Sequence, residues 1–176
     1  PGPPYLFMSR VVHVDGALGA MKSGVTLEVE YDVPPDAWYF TENGAEVMPY
    51  AVLLEAGLQP CGWLASYVGC ALSAETDLYF RNLDGTGTQY IEIGPDMGTL
   101  RTHVVLQNIA RAGGNIIVPF KVQMRDADRN NQVVYEMDKV FGLFPKSALE
   151  GQSGLATEEA YRRRVTGEPN DPRRVF

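Results

Sequence analysis

Alternating apolar and polar residues predict β-strands in two parts of the chain. In GVTLEVEYDV (residues 24–33), every second residue from Val25 to Tyr31 is apolar, and the residues between them are Thr or Glu. NIIVPFKVQM (residues 115–124) has the same period, with Pro119 on the opposite face, which suggests a sheet edge or a bulge. This period is typical of strands with one buried face. Further strands are predicted at residues 6–14, 77–81, 89–93, 99–110 and 132–144, between turns such as LDGTG and RAGGN.

One apolar stretch, MPYAVLLEAGLQPCGWLASYVGCAL (residues 48–72), shows no alternation and is too long for a strand. It predicts a helix that begins near Pro49, since proline is tolerated in a first turn. The segment is apolar nearly all round, so we expect the helix to be buried. Gly57 and Pro60 lie inside it and predict a kink near Gln59.

Two strands, one buried helix and then about five strands indicate an α+β domain in which a long antiparallel sheet wraps around a central helix, the hot-dog fold. We expect this domain to span residues 1–150, followed by a tail of residues 151–176. ATEEAYRRRVTG in the tail predicts a short helix whose Arg162–Arg164 run faces solvent. PGPPYLF at the start and GEPNDPRRVF at the end read as linkers, which suggests a piece cut from a longer polypeptide; a processed N-terminus is the alternative.

Composition narrows the classes of partner. The 176 residues carry a net charge of −7, which argues against nucleic acid or an anionic membrane as the main partner. No apolar run reaches the roughly 18 residues that span a bilayer. Cys61 and Cys70, nine residues apart, fall on opposite faces of a helix and cannot pair there, so we expect free buried thiols in a reducing cytoplasm. We expect neither a metal nor an organic cofactor.

Glu55 is the carboxylate that the apolar helix would have to bury, with Gln59 four residues later on the same face. Burial of a carboxylate is costly without a partner or a raised pKa, which favours a functional role. The alternative is a structural glutamate that bonds to Gln59 or to a loop. The two histidines, His13 and His103, fall on predicted strands and are not placed to reach the start of the helix.

WYFTENGAEVMPYAVLLEAGLQPCGWLA (residues 38–65) resembles the signature region of the hot-dog 3-hydroxyacyl-ACP dehydratases. SRVVHVDG, VTLEVEYDVPPDAWYF and FRNLDG resemble strands of the same family, so the similarity covers most of the chain. The relatives are bacterial β-hydroxydecanoyl-ACP dehydratase and the dehydratase domains of polyketide and polyunsaturated fatty acid synthases. MPYAVLLEAGLQPCGWLASYVG resembles most the first dehydratase-like domain of the polyunsaturated fatty acid synthases.

The resemblance implies a lyase of fatty acid biosynthesis that acts on a 3-hydroxyacyl chain carried by an acyl carrier protein. In the family, a loop histidine removes the C2 proton, and a carboxylate on the helix of a neighbouring hot-dog unit is its acid partner. Glu55 matches that carboxylate, followed by Gln59, and Met48, Pro49 and Tyr50 match the substrate-binding start of the helix.

The family's loop histidine is missing. Counting forward from Trp38 places Asn43 at its position, and counting back from Pro49 places Thr41 there. An asparagine amide has no usable basicity near neutral pH, so it cannot act as the base. We therefore expect this domain to supply the acidic half of a site that a second hot-dog unit completes, in tandem or as a homodimer. An engineered His-to-Asn replacement at residue 43 is disfavoured because the loop is about two residues short.

Two other functions stay open from the sequence. The domain could be a non-catalytic pseudo-dehydratase that supports a catalytic neighbour, or it could be an acyl-thioesterase, because those hot-dog enzymes also use a helix carboxylate. An acidic carrier protein would need a local basic patch, for which Arg81, Arg101 and Arg111 are candidates.

Overall fold

The computed structural model describes residues 2–151 and 158–167. Seven strands form one antiparallel sheet. They are β1 (Arg10–Asp15), β2 (Thr26–Asp32), β3 (Leu78–Gln89), β4 (Thr99–Leu106), β5 (Ala110–Ala112), β6 (Asn115–Asp126) and β7 (Val133–Pro145). The helices are α1 (Trp38–Thr41), α2 (Tyr50–Tyr67), α3 (Lys146–Glu150) and α4 (Glu159–Gly167), with a 3₁₀ turn at Ala71–Ser73.

The sheet has the order β1-β2-β4-β6-β7-β3, and the short strand β5 pairs with β6. Helix α2 packs against β2, β4 and β6 on the inner face of the sheet. This is the α+β hot-dog arrangement that the sequence predicts. The contacts divide the chain after Lys146, so the sheet and α2 belong to one unit and α4 to another. The predicted tail helix is present from Glu159, while residues 156–157 lie outside the described residues.

Helix α2 is continuous through Gly57 and Pro60 and supplies much of the core. Leu53 and Leu64 are fully buried against the sheet. The expectation that the helix is buried all round is wrong for one stripe, because Glu55 and Gln59 are half-buried and further positions on that face also stay partly open. A helix that lies on a single sheet has one side that the sheet does not cover.

The two cysteines are buried and free, as expected. Cys61 lies in α2, and Cys70 lies just beyond the end of the helix. Burial raises the pKa of the Cys61 thiol, so the neutral form is favoured.

The sequence prediction of a turn at LDGTG is wrong. Residues 83–87 lie inside β3, a single strand of 12 residues with a bulge between Asn82 and Asp84. The glycines are needed for close approach to β7 instead. A Cβ at Gly85 would lie 2.7 Å from the Asp138 carbonyl oxygen, and one at Gly87 would lie 2.3 Å from the Tyr135 hydroxyl.

Three other predicted strands differ in the structure. The strand predicted at residues 89–93 is wrong, because β3 ends at Gln89 and residues 90–93 are not in a strand. The strand predicted at residues 99–110 ends at Leu106, and β5 begins separately at Ala110. The strand predicted from residue 6 begins at Arg10, because the preceding residues run across α2 and bond to a helix side chain, as described below.

A charged network crosses β1, β2 and β4 on the outer face of the sheet. The Glu30 carboxylate accepts hydrogen bonds from Arg10 Nε at 2.7 Å and from Arg101 Nη2 at 2.6 Å. Arg10 also bonds both oxygens of Asp32. The Glu30 side chain is only 10% exposed, yet the bonds from Arg101 and Arg10 outweigh its burial and lower the pKa of its carboxyl group.

Replacement of Glu30 by Gln should lower the free energy of unfolding by about 1–2 kcal/mol at pH 7, because two guanidinium groups lose their shared anion. The native pKa of Glu30 lies below the value of 4.5 expected for a free glutamate. Its stabilisation is therefore complete above about pH 4.5 and is lost as the pH falls through the lowered native pKa. Urea unfolding from pH 7 to pH 3 measures this.

The exposed Glu46→Gln is the matched control and should leave unfolding nearly unchanged. A stability difference between wild type and Glu30→Gln that stays constant down to pH 3 would contradict the assignment.

Candidate functional site: a groove along the central helix

A groove of about 710 Å³ runs along the stripe of α2 that the sheet leaves uncovered. The helix provides the floor, the residues before β1 and the start of β1 form one wall, and β3 with β7 forms the other. The lining residues are Leu6, Met8, Ser9, Arg10, Val11, Glu55, Leu58, Gln59, Gly62, Trp63, Ser66, Phe80, Asn82 and Phe141. Most of these side chains are apolar, so the groove suits a ligand that is largely hydrocarbon.

Glu55 provides the carboxylate of this groove. Its Oε1 accepts one hydrogen bond, from Gln59 Nε2 at 3.2 Å. Within residues 2–151 and 158–167, its second carboxylate oxygen has no hydrogen-bond partner, so it is free to exchange a proton with a molecule in the groove. The sequence prediction that Glu55 and Gln59 share one face of the helix is confirmed by this bond.

Gln59 connects Glu55 to the N-terminal strap, which we define as residues 5–9. Its Oε1 accepts a hydrogen bond from the Phe7 amide at 2.8 Å, and its Nε2 donates to the Tyr5 carbonyl at 3.0 Å. Both ends of the side-chain amide are therefore engaged. Gln59 therefore holds one wall of the groove and one oxygen of Glu55 in place.

The strap is also anchored by an aromatic cluster beneath it. The Phe7 ring lies edge-on to the rings of Tyr31 and Tyr39, at centroid distances of 5.7 and 6.3 Å. The two tyrosine hydroxyls are 2.8 Å apart and bond each other. Burial raises the pKa of both tyrosines, so their hydroxyls stay neutral, and their rings support Phe7 of the strap.

Asn43 lies in the exposed loop between α1 and α2 and does not line the groove. Its Nδ2 is 2.9 Å from the carbonyls of Tyr39 and Val47 and 3.2 Å from that of Ala45. An amide NH₂ has two hydrogens, so these three acceptors share them. The side chain that the forward count from Trp38 predicts at the histidine position thus closes the loop on itself. Thr41, the other candidate, donates to the Trp38 carbonyl at 3.4 Å.

Met48, Pro49 and Tyr50 lie at the start of α2, outside the residues that line the groove. Met48 is buried, and Pro49 is the N-cap. The Tyr50 hydroxyl is 3.4 Å from the hydroxyl of Tyr135. The structure therefore brings Gln59 together with Glu55, but it leaves the start of the helix outside the groove.

Both histidines lie on the outer face of the sheet, opposite to α2. His103 Nδ1 is 3.6 Å from Glu28 Oε1, and His13 pairs with Glu28 across β1 and β2. Residues directly opposite in neighbouring strands share a face, and Glu28 alternates with the buried Leu27 and Val29. Neither imidazole lines the groove.

The candidate basic residues differ in their availability. Arg101 is held by Glu30, and Arg81 donates to the carbonyl of Phe80. Arg111 lines a separate, more polar pocket of about 460 Å³.

Residues 2–151 and 158–167 contain no cluster of three His, Cys, Asp or Glu side chains that could hold a metal ion. In this part of the chain, no helix has the length and apolar character needed to cross a membrane.

Sequence reasoning missed the walls of the groove. Phe80 and Phe141 lie far from Glu55 in the sequence, so only the folded chain places them in the same groove. One signal was present on the helix itself: Gln59, Gly62 and Ser66 follow Glu55 by four, seven and eleven residues, which is the spacing of one helix face.

The Gln59→Leu variant should release the strap, because the Phe7 amide loses its acceptor. We expect that amide to exchange its hydrogen at least tenfold faster, as measured by NMR-detected hydrogen exchange. Ser66→Ala on the same helix face is the control, because Ser66 does not bond the strap. Unchanged protection of Phe7 in Gln59→Leu would show that aromatic packing alone holds the strap.

Comparison with known proteins agrees with this architecture. Residues 1–138 match the FabA-like domain family. One of the subunits of the polyunsaturated fatty acid synthase of Thraustochytrium sp. is 29% identical over 134 residues, which make up 74% of this chain and 9% of that protein. The chain therefore spans about a tenth of the length of this relative.

Solved structures share the fold at low sequence identity. A variant of the fluoroacetyl-CoA-specific thioesterase FlK gives a TM-score of 0.52 at 14% identity, over 86% of this chain and 98% of that one. A candidate thioesterase, YhdA of Lactococcus lactis, gives a TM-score of 0.50 at 9% identity, over 69% and 80%. Together with the antiparallel sheet around α2, the family match over residues 1–138 shows that this chain belongs to the FabA-like domain family and has its hot-dog fold.

Proposed function

We propose that this domain supplies the acidic half of a site that dehydrates a 3-hydroxyacyl chain on an acyl carrier protein. The observation that carries the proposal is the environment of Glu55. Its carboxylate lies in an apolar groove, one oxygen is held by Gln59, and the other has no partner in the part of the chain that the structure describes. Similarity to a component of a polyunsaturated fatty acid synthase supports an acyl substrate.

The chemistry assigned to Glu55 is proton delivery. A base removes the proton from C2, the C3–oxygen bond breaks, and a C2–C3 double bond forms. The carboxylic acid form of Glu55 gives its proton to the departing hydroxyl, so that water leaves and a carboxylate remains. The proton taken from C2 restores the acid after water has left. Gln59 keeps the carboxyl group in one orientation during this exchange.

The base must come from another hot-dog unit. Both histidines of this chain lie on the outer face of the sheet, and Asn43 has no basicity to offer. A homodimer would present a second Asn43 loop and would also lack the base. The proposal therefore requires a non-identical unit with a loop histidine, such as a neighbour in tandem.

The edge of the sheet offers a place for that unit. Strand β3 is the terminal strand of the sheet, so its outward backbone groups have no strand partner among the described residues. Phe80 and Asn82 of this strand also line the groove. A hot-dog unit that adds its own edge strand here would cover the groove and approach Glu55.

Carrier-protein docking is a further part of the proposal. The chain has a net charge of −7, so attraction of an acidic carrier needs a local cation. Arg81 lies between the groove-lining Phe80 and Asn82 and is exposed, whereas Glu30 neutralises Arg101. Successive side chains of a strand point to opposite faces, so Arg81 points away from the groove that Phe80 and Asn82 line. Arg81 is therefore a candidate contact for a carrier protein that docks on the outer surface of β3, beside the groove.

A structural pseudo-dehydratase is the second candidate, and the bonding of Asn43 favours it. The side chain in the position of the family's base holds three backbone carbonyls of its own loop, which is a purely structural role. In that case Glu55 and Gln59 would serve only to fasten the strap, and the neighbouring unit would carry out catalysis by itself.

The Glu55→Gln variant, assayed with the histidine-bearing unit present, should lower turnover of a 3-hydroxyacyl thioester by about 10²–10⁴-fold. Glutamine keeps the shape of the side chain but cannot deliver a proton at neutral pH. Glu92→Gln, an exposed carboxylate outside the groove, is the control and should retain full activity. Turnover within twofold of wild type in Glu55→Gln would favour the pseudo-dehydratase.

The full chain alone should neither dehydrate a 3-hydroxyacyl thioester nor hydrolyse it at an appreciable rate, because Glu55 acts as the acid and the residues that line the groove include no imidazole to act as the base. Product analysis by mass spectrometry separates the two reactions. Glu55-dependent release of a free acid would establish an acyl-thioesterase in place of the dehydratase half-site.

A further inference from the structure

Two glycines of α2 differ in what surrounds them. A Cβ built on Gly57 would lie 3.3 Å from Met137 Cε and 3.5 Å from the Tyr135 ring, so tight packing against the sheet accounts for this glycine. A Cβ on Gly62 would meet only Phe80 Cζ, at 3.9 Å, which is an ordinary contact. Packing therefore does not require a glycine at position 62.

Gly62 also has no backbone reason to be glycine. It lies in the interior of α2, and its φ is not in the left-handed region. Glycine at such a position destabilises a helix relative to alanine because it loses more conformational entropy on folding. A residue that weakens the central helix without a steric need indicates a function for the empty space above it.

That space is the middle of the groove. From Glu55 to Ser66 the floor is about 16 Å long at the helical rise of 1.5 Å per residue. Gly62 lies between them, facing Phe80 of β3. The flanking walls are the apolar side chains of Trp63 and Phe141, so the groove has its carboxylate near one end and hydrocarbon surfaces beyond it.

The end of the groove at Ser66 offers a ligand no free hydroxyl from the helix. The Ser66 hydroxyl donates to the Gly62 carbonyl at 3.0 Å, so it is already bonded within the helix. Trp63 is held in place by stacking on Tyr67, with centroids 5.2 Å apart and planes 15° apart. A rigid apolar slot of this kind binds an alkyl chain through burial of apolar area.

We propose that Gly62 is a specificity-determining residue: it keeps the groove open beneath Phe80 for the aliphatic tail of the acyl chain and thereby sets the longest chain that binds. The inference rests on the proposed function for the thioester end, which lies at Glu55. Short acyl chains end before Gly62, so their affinity does not depend on the size of the side chain at this position. Long chains must pass between Gly62 and Phe80.

The test compares wild type, Gly62→Ala and Gly62→Leu as full chains. Isothermal titration with hexanoyl- and dodecanoyl-pantetheine measures affinity for a short and a long tail. In Gly62→Leu, the added side chain fills the space beneath Phe80, so the dodecanoyl probe should bind about tenfold more weakly while the hexanoyl probe stays within about twofold of wild type. Gly62→Ala should raise Tm by about 2–4 °C because alanine favours the helix.

Gly57→Ala is the matched control, and it should raise Tm by less than Gly62→Ala does, because its methyl group must displace the end of the Met137 side chain. The proposal is overturned if Gly62→Leu binds the dodecanoyl probe as wild type does, if wild type does not prefer the longer probe, or if Gly62→Ala lowers Tm. It is also overturned if Gly62→Leu weakens both probes equally and abolishes pairing with a second hot-dog unit, because the glycine would then serve close approach of a partner.

The two proposals fail separately. Neither probe carries a 3-hydroxyl group, so Glu55→Gln should leave the preference for the longer probe intact. Turnover of the 3-hydroxyacyl thioester should fall in the same variant. If Glu55→Gln retained turnover while Gly62→Leu preferred shorter chains, Glu55 would not be the acid, but Gly62 would still determine tail binding.

Discussion

The architecture depends on the contact between one apolar helix and one curved sheet. Leu53, Leu64 and their neighbours bury the sheet-facing side of α2 completely, and that burial is the main favourable term available to a domain of this size. The same geometry leaves the opposite side of the helix without a cover. The strap closes part of it through Gln59, and the remainder is the groove. Core and candidate site are thus two sides of one element.

The sequence predicted those parts of the fold that depend on local periodicity. Alternation located β2 and β6, and the long apolar stretch located α2, because each pattern repeats with the geometry of its element. The reading of LDGTG as a turn was wrong because the same glycines serve close approach inside β3. Local sequence cannot distinguish a glycine that turns the chain from one that admits a neighbouring strand.

The candidate site was predictable only in part for a similar reason. Glu55 and Gln59 could be found because an acidic and an amide side chain four residues apart interrupt an apolar helix. The strap, Phe80 and Phe141 could not, because their places depend on pairing between residues far apart in the chain. Asn43 illustrates the opposite case: its identity excludes a base, but only its three carbonyl partners show what it does instead.

The bulge in β3 limits how the open edge of the sheet can be used. An incoming strand finds regular backbone spacing along Leu78–Asn82, which is about 17 Å, and then meets the irregular step before Asp84. The bulge interrupts ladder-like addition, so the edge suits two short segments better than one long, uninterrupted strand. The bulge thereby limits growth of the sheet from this edge, which is the process by which exposed edges lead to aggregation.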